Sequence, residues 1–397
     1  MNKKTFKDIP VAHKRVLLRV DYNVPFDEEG NISDDNRIRA TLPTINYLLK
    51  QNAKIIICSH LGRPKGVKSE KFSLAPVAKR LSSILGIPVK MATDVVGENA
   101  QKLVKEMKDG EIVMLENVRF YAQEEENDDA MAQSLASLAD VFVNDAFGAA
   151  HRAHASTAGV AKYLPAVAGF LMSSEMMALG DYIENAEAPF VLILGGAKVT
   201  DKIGVISKLL PKVNTVLIGG AMANTFLAAK GAELGFSRYE KDKIDLAKKV
   251  LAEAERLNVK IVLPVDVVAC TEFAENAPSK NMNAMKIGGG YQAMDIGRKT
   301  RRIFAKEIKK AKTIVWNGPM GVYEFKNCQA GTKAVAKAVA KNDCISIVGG
   351  GDSASALKQL GYEHKITHIS TGGGASLKFL EGANLPGIAM LLDKDAK

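Results

Sequence analysis

Arginine, histidine and asparagine recur just after short apolar runs in the first part of the chain. The segments are Arg19-Val20-Asp21-Tyr22-Asn23, Ser59-His60-Leu61-Gly62-Arg63-Pro64, Glu116-Asn117-Val118-Arg119-Phe120, and Asn144-Asp145-Ala146-Phe147-Gly148 leading to His151-Arg152. Arg37 and Arg39 lie just before a helical stretch. A lone arginine in such a place is usually a solvated surface charge. Several converging on one sheet edge suit bidentate capture of carboxylate or phosphate. This half therefore reads as a site for a small polyanion. For the histidines, a structural role stays as open as a contact.

The second half has another vocabulary. Apolar runs end in Gly195-Gly196-Ala197-Lys198, Gly219-Gly220-Ala221, Gly349-Gly350-Gly351-Asp352-Ser353 and Thr371-Gly372-Gly373-Gly374. One glycine turn between strand and helix is common. A set of them points to a nucleotide site, because glycine lets backbone N–H groups approach phosphate at a helix N-terminus. Lys198 and Lys202 are spaced i,i+4, so a helix there would put both on one face beside the phosphates; a solvated pair is the plain alternative. Asp352 suits a helix N-cap, a Mg²⁺ ligand, or both. Trp316-Asn317-Gly318-Pro319 through Glu324 reads as a plain turn or as a nucleoside contact, with Glu324 accepting from ribose hydroxyls. No GxxxxGK[ST] loop and no protein-kinase HRD or DFG set is present. Gly288–Ala293 fits GxGxxA, yet neither a convincing strand before it nor a helix after it supports a dinucleotide fingerprint.

These loops need a scaffold. The runs Val16–Val20, Lys54–Ser59, Ile112–Leu115, Asp140–Val143, Phe190–Leu194, Thr215–Ile218, Lys260–Leu263, Thr313–Trp316, Cys344–Val348 and Thr367–Ser370 are short, rich in Val and Ile and mostly not alternating. Strands buried on both faces read this way. Helical stretches lie between them: Thr41–Gln51 has Leu42, Ile45, Leu48 and Leu49 on one face, and Ser353–Leu360 follows Asp352 and stops at Gly361. Alternation of strand and helix means right-handed βαβ units and parallel sheets. The strands are too many for one open sheet. The predicted fold is α/β, two Rossmann-like doubly wound parallel-sheet domains joined by a connecting helix over Ser173–Ala186 and a hinge.

The chain has 397 residues, 47% hydrophobic and 25% charged, the balance of a globular protein of about two to three domains. No apolar run is long enough for a membrane span, and the start lacks the apolar core of a secretory signal, so the expected compartment is the cytoplasm. The 4 cysteines, Cys58, Cys270, Cys328 and Cys344, show no zinc spacing. Lys plus Arg is 54 against 44 for Asp plus Glu, a charge of +10 that favours anionic partners, small phosphates or nucleic acid. Aromatics, at 6%, do not interleave with basic runs, which argues against single-strand stacking platforms.

The segments RVDYNVP, SHLGRP, ENVRF, NDAFGAAHR, LGGAKVTDKI, WNGPMGVYE, GGGDSASA and STGGGASLKFLEG, in this order, resemble the phosphoglycerate kinase family over essentially the whole chain. The resemblance implies reversible phosphoryl transfer between ATP and 3-phosphoglycerate, giving ADP and 1,3-bisphosphoglycerate, in glycolysis. It implies a monomer without nucleic-acid or membrane partners. An acid-binding domain would span 1–172 and a nucleotide-binding domain 173–377, with 378–397 packing back on the first. Matching motifs would assign the acid to Asp21, Asn23, Arg37, His60, Arg63, Arg119 and Arg152. The nucleotide would fall to Lys202, Gly219, Gly220, Asn317, Glu324, Gly350, Gly351, Asp352 and Ser353, with Asp352 on Mg²⁺. Arg37, Lys198, Gly373 and Gly374 would surround the phosphoryl group in flight. The chain departs from the usual family pattern at Ala221 and Ala293, where glycine is common, and at Arg298, where proline is.

Other readings are a phosphotransferase for a different small acid, a dehydrogenase, and a basic nucleic-acid binder. The first would keep the nucleotide half and change the partner of the arginines. The second would need an acidic ribose contact after a single fingerprint loop. The third would show steep salt dependence of binding.

Overall fold

The computed structural model describes residues 2–394. Among these, the chain forms two parallel six-stranded sheets and a three-stranded antiparallel sheet. It divides into two units. One runs to Met177 and resumes at Asn384; the other is Ala178–Ala383. Residues 395–397 of the expected returning segment lie outside the described residues.

The first unit is built on β1 (Arg15–Arg19), β2 (Lys54–Cys58), β3 (Val89–Met91), β4 (Ile112–Met114), β5 (Val141–Asn144) and β6 (Ala166–Ala168). Their order is β3-β4-β2-β1-β5-β6. Leu17, Leu18, Ile55, Ile56 and Ile57 are fully buried, because helices cover both sheet faces. One of these, Leu42–Lys50, buries Ile45 and Leu48. Arg37 and Arg39 lie in a separate short helix, Asn36–Ala40, ahead of it. The chain winds from β1 toward β2 on one side and places β5 on the other, so the switch in strand order lies between β1 and β5. Ligands of open α/β sheets bind outside the carboxyl ends of strands at such a point.

The second unit contains β7 (Phe190–Leu194), β8 (Thr215–Ile218), β9 (Lys260–Val262), the antiparallel strands β10 (Asp266–Cys270), β11 (Ser279–Asn283) and β12 (Gln292–Ile296), then β13 (Thr313–Asn317), β14 (Ile345–Gly349) and β15 (His368–Ile369). The parallel sheet has the order β15-β14-β13-β7-β8-β9, and its switch lies between β7 and β13. Trp316 is fully buried on β13, and its indole N–H donates to the Gly318 carbonyl at 2.8 Å, fixing the turn beyond the strand. The three antiparallel strands form a separate sheet in the order β11-β10-β12. Gly288–Tyr291 leads into β12, a strand, so the GxGxxA stretch lacks the helix a dinucleotide fingerprint requires.

Some boundaries differ from the sequence-based ones. Helix Phe170–Met176 runs on through a π-helical stretch, Met177–Asp181, into Tyr182–Glu184, so the division at Met177 falls within the connecting helix. The returning segment starts at Asn384, because residues 378–380 belong to helix Gly374–Leu380, which packs on helix Ile203–Leu209. Beyond Asn384, Gly387 N–H donates to the Ala150 carbonyl at 2.9 Å and Asn144 Nδ2 donates to the Gly387 carbonyl at 3.0 Å. Asn144 ends β5, so the return braces a loop at the sheet's carboxyl edge.

Candidate functional site

In the first unit the carboxyl ends of β1, β2 and the loop after β4 bring most of the expected anion-site residues together. Asp21, two residues past β1, is largely buried and forms an ion pair with Arg37 Nη1. His60 Nε2 lies 3.8 Å from the other oxygen of the same carboxylate. Burial pushes the Asp21 carboxyl up, but its basic surroundings, Arg37 and Arg19 among them, outweigh it and hold the group below the usual carboxylate range. Asn23 Oδ1 accepts from Gly62 N–H at 2.9 Å, and Arg119 Nη1 donates to the Gly62 carbonyl at 2.8 Å. The loop carrying His60 and Arg63 is thus pinned from both sides. Arg63 itself is exposed. Arg152 is half-buried and donates through Nε to His151 Nε2 at 3.2 Å.

Cations crowd this edge. Burial lowers the Arg119 pKa, Glu125 opposes, and Arg152 and Arg19 lower it further. Such a cluster at a strand edge offers the fork geometry that binds carboxylate and phosphate. Asp145, in the loop after β5, takes no part in it. Burial pushes its carboxyl up to about 7, and its Oδ1 accepts from Met172 N–H at 3.1 Å, which makes it a structural acid.

The second unit separates its glycines into two kinds. Gly195, Gly219, Gly220 and Gly318 are required by loop packing. A Cβ on Gly195 would sit 2.0 Å from the Pro319 carbonyl oxygen, and one on Gly219 2.5 Å from Met320 Sδ. Gly220, at φ +66°, would meet the Gly196 backbone at 2.6 Å. Gly351, Gly373 and Gly374 have nothing within 4 Å of a Cβ; Gly373 is accounted for by its left-handed φ of +53°, whereas neither packing nor backbone conformation explains Gly351 and Gly374. Gly351 opens helix Gly351–Gln359 and Gly374 opens helix Gly374–Leu380, leaving backbone N–H groups at accessible helix ends.

Lys198 and Lys202 do not share a helix face. Helix Ile203–Leu209 starts only after them. Before it, the Val199 and Thr200 N–H groups donate to Glu240 Oε2 at 2.6 and 3.2 Å, which holds the segment as a turn. Lys198 is exposed, whereas Lys202 is buried with its Nζ on Asn317 Oδ1. Burial lowers the Lys202 pKa to about 8, against the pull of Asp201 and Glu381. Ser353 is fully buried, and its Oγ accepts from Gly318 N–H at 3.0 Å, locking the loop after β14 to the loop after β13.

Asp352 is not the N-cap. Gly350, at φ +89°, occupies that position, and Asp352 lies in the first helical turn with its side chain free of any capping bond. Its carboxyl is raised, first by burial and second by the nearby Glu324 charge. Asp352 and Glu324 both line a cleft of about 440 Å³. Ala221, Val267, Ala293, Met294, Met320 and Val322 line the same cleft. Both alanines that depart from the usual family pattern are thus on the cleft.

The sequence placed Arg19 and Asn117 in the strand-end segments without giving either a role, and it did not point to Glu124 or Ser156. Asn117 is fully buried; its side chain accepts from Leu61 and Arg119 N–H groups and donates to the Leu61 and Phe72 carbonyls, at 2.7–3.2 Å. Arg19 had a signal, a charge inside an otherwise apolar run. Glu124 and Ser156 had none, because their partners come from distant segments.

A family model described as phosphoglycerate kinase matches residues 6–383. The chain is 55% identical to a phosphoglycerate kinase of Clostridium perfringens, with 99% of each chain covered. It is 54% identical to one of Pelotomaculum thermopropionicum, covering 99% of this chain and 100% of that one. Among solved structures, the phosphoglycerate kinase of Coxiella burnetii is similar at a TM-score of 0.88 and 41% identity, with 98% of each chain covered.

Proposed function

The chain belongs to the phosphoglycerate kinase family, and from that premise we propose how its two sheet edges divide the reaction. The enzyme transfers a phosphoryl group reversibly between ATP and the carboxyl group of 3-phosphoglycerate. In our reading, Asp21, Asn23, Arg37, His60, Arg63, Arg119 and Arg152 hold the acid. Lys202, Gly219, Gly220, Asn317, Glu324 and the Gly350–Ser353 loop hold the nucleotide, its base in the apolar cleft. The observation that carries this reading is the open space at Gly351 and Gly374, two helix-opening glycines that neither packing nor a left-handed backbone explains.

Phosphoryl transfer asks for positioning and charge stabilisation more than for covalent help from the protein. The attacking oxygen is a carboxylate in one direction and a phosphate oxygen in the other, already anionic, so a general base is unnecessary. Lys198, Arg37 and the Gly373–Gly374 amides would supply donors to the equatorial oxygens of the moving group. Asp352 fits as a Mg²⁺ ligand. Its carboxyl sits on the cleft with Glu324 nearby, and Mg²⁺ typically takes one or two carboxylates plus nucleotide phosphates. When bound, the cation would offset the phosphate charge.

A coupled assay tests the whole reading. With 3-phosphoglycerate, MgATP and glyceraldehyde-phosphate dehydrogenase, NADH should be consumed only when the protein and both substrates are present. Consumption that persists without 3-phosphoglycerate, or none at all with folded protein, would overturn it.

A pH effect follows from Lys202. With a pKa near 8 in the free protein, its positive charge is present below that pH and lost above it. MgADP should therefore bind more weakly as pH rises through about 8. Titration calorimetry of wild type against Lys202→Met should show this step in the wild type alone; the same step in both would remove Lys202 from nucleotide binding.

Transfer also requires the attacking oxygen and the phosphorus within roughly 3–3.5 Å. With each ligand held by its own unit, both together should favour the closed, reactive arrangement more than either alone. Small-angle scattering should show a smaller radius of gyration with 3-phosphoglycerate plus MgADP than with either. Identical curves in all liganded states of active enzyme would count against a hinge.

A further inference from the structure

Arg19 is among the largest fully buried side chains, at 1% exposure. Its guanidinium is anchored on several sides. Nε donates to Ser156 Oγ at 2.8 Å, and Nη1 donates to the Val20 carbonyl. Nη2 lies 3.2 Å from His60 Nδ1. The Ser156 hydroxyl donates onward to Glu124 Oε1 at 2.6 Å, and Ser156 N–H donates to Oε2 at 2.9 Å. Glu124 is itself fully buried, so a carboxylate answers the buried arginine through one hydroxyl. The relay runs from Glu124 through Ser156 and Arg19 to His60, whose other nitrogen faces Asp21.

A guanidinium has five N–H donors and no acceptor, whereas a neutral imidazole has one nitrogen of each kind. His60 Nδ1 can therefore meet Arg19 only with its lone pair. A proton there would set N–H against N–H. We propose that Arg19 is a positioning residue that fixes His60 as the neutral Nε2–H tautomer, so that the ring presents one N–H donor, and neither a base nor a cation, at the anion-binding edge. The tautomer follows from the contacts alone; its use in holding the acid rests on the function proposed above.

The charged groups around the ring agree. Burial lowers the His60 pKa well below the usual imidazole range. Asp21 opposes this, while Arg19, Arg119 and Arg37 reinforce it. The 3.8 Å from Nε2 to Asp21 is too long for a hydrogen bond, so that carboxylate does not consume the N–H.

The test is long-range ¹H–¹⁵N correlation spectroscopy on protein labelled at histidine, with His60 assigned by the signal missing from His60→Gln. Nδ1 should appear as an unprotonated nitrogen and Nε2 as a protonated one, unchanged between about pH 5.5 and 8. An Nδ1–H tautomer, or a second proton taken up with a midpoint near the ordinary value of about 6.5, overturns the proposal. In Arg19→Met, where Nδ1 no longer faces a donor, the ring should mix the two neutral tautomers. If loss of the Glu124 countercharge unfolds that variant, Arg19→Met/Glu124→Gln removes both charges and takes the same test. A ring that keeps the Nε2–H form without Arg19 also overturns the proposal. Adding 3-phosphoglycerate to wild type should shift the His60 Nε2 signal; no shift would strike the acid-site reading and leave the tautomer result standing.

Discussion

Lys198→Ala should lower kcat by roughly 10²–10³-fold, as removal of a transition-state donor does elsewhere, with little change in MgADP affinity. The two lysines of this segment divide the work. Lys202 is buried against Asn317 and suits ground-state contact with bound phosphate. Lys198 is exposed and pairs with no carboxylate among the described residues, yet the backbone on either side of it is hydrogen-bonded. Gly196 N–H donates to the Pro319 carbonyl at 3.0 Å on one side, and the Val199 amide to Glu240 at 2.6 Å on the other. A cation presented from a fixed base stabilises charge without reorganising during the reaction, and it is worth most where that charge is greatest. Equilibrium titration with MgADP and steady-state kcat together decide the matter. Unchanged turnover would remove the catalytic role, and a matching loss of MgADP affinity would make Lys198 a binding residue instead.

Arg37→Ala should depress kcat by about 10²-fold, well beyond its effect on KM, because a small misplacement of the reacting group carries that cost. Arg37 is half-exposed and paired with Asp21, which in turn faces His60. Without it, the Asp21 carboxylate would lose its direct ion-pair partner beside an incoming carboxylate. Arg63→Ala should behave differently. That side chain is exposed on a loop whose position Asn23 and Arg119 fix without it, so its loss should raise KM for the acid and leave kcat nearly intact. Kinetics of both variants against 3-phosphoglycerate at saturating MgATP separate the two roles. An Arg37→Ala effect confined to KM would show the assignment to be wrong.

The parallel strands were legible because burial on both faces writes an unbroken apolar run, as in Ile55–Ile57 or Phe190–Leu194. Strands without that signature were not. β3 is three residues with Lys90 at its centre, β6 is mostly alanine, and β11, Ser-Lys-Asn-Met-Asn, is largely exposed. At the site, residue types were legible and their local geometry less so. The i,i+4 spacing of Lys198 and Lys202 suggested a shared helix face, but Glu240 captures the amides that would have opened the helix. No local pattern carries a bond from so distant a segment. The glycines looked alike in sequence. Only the positions of neighbouring loops show that Gly195 and Gly219 serve packing while Gly351 and Gly374 leave open backbone.

The separate antiparallel sheet has a consequence for how this cleft can change over generations. Val267 on β10 and Ala293 and Met294 on β12 form one wall, and none of their strands pairs with the parallel sheet among the described residues. The loops bearing Lys202, Asn317 and Asp352 belong to that parallel sheet and are tied to one another through Ser353 and the Gly318 turn. A side chain gained on the first wall, as at Ala293, reshapes a surface. The same gain at Gly195 or Gly220 would drive one loop into another. If the cleft takes the base and these loops the phosphates, as proposed above, preference for the base is free to drift by single substitutions, while the machinery for the phosphates must be inherited as a block.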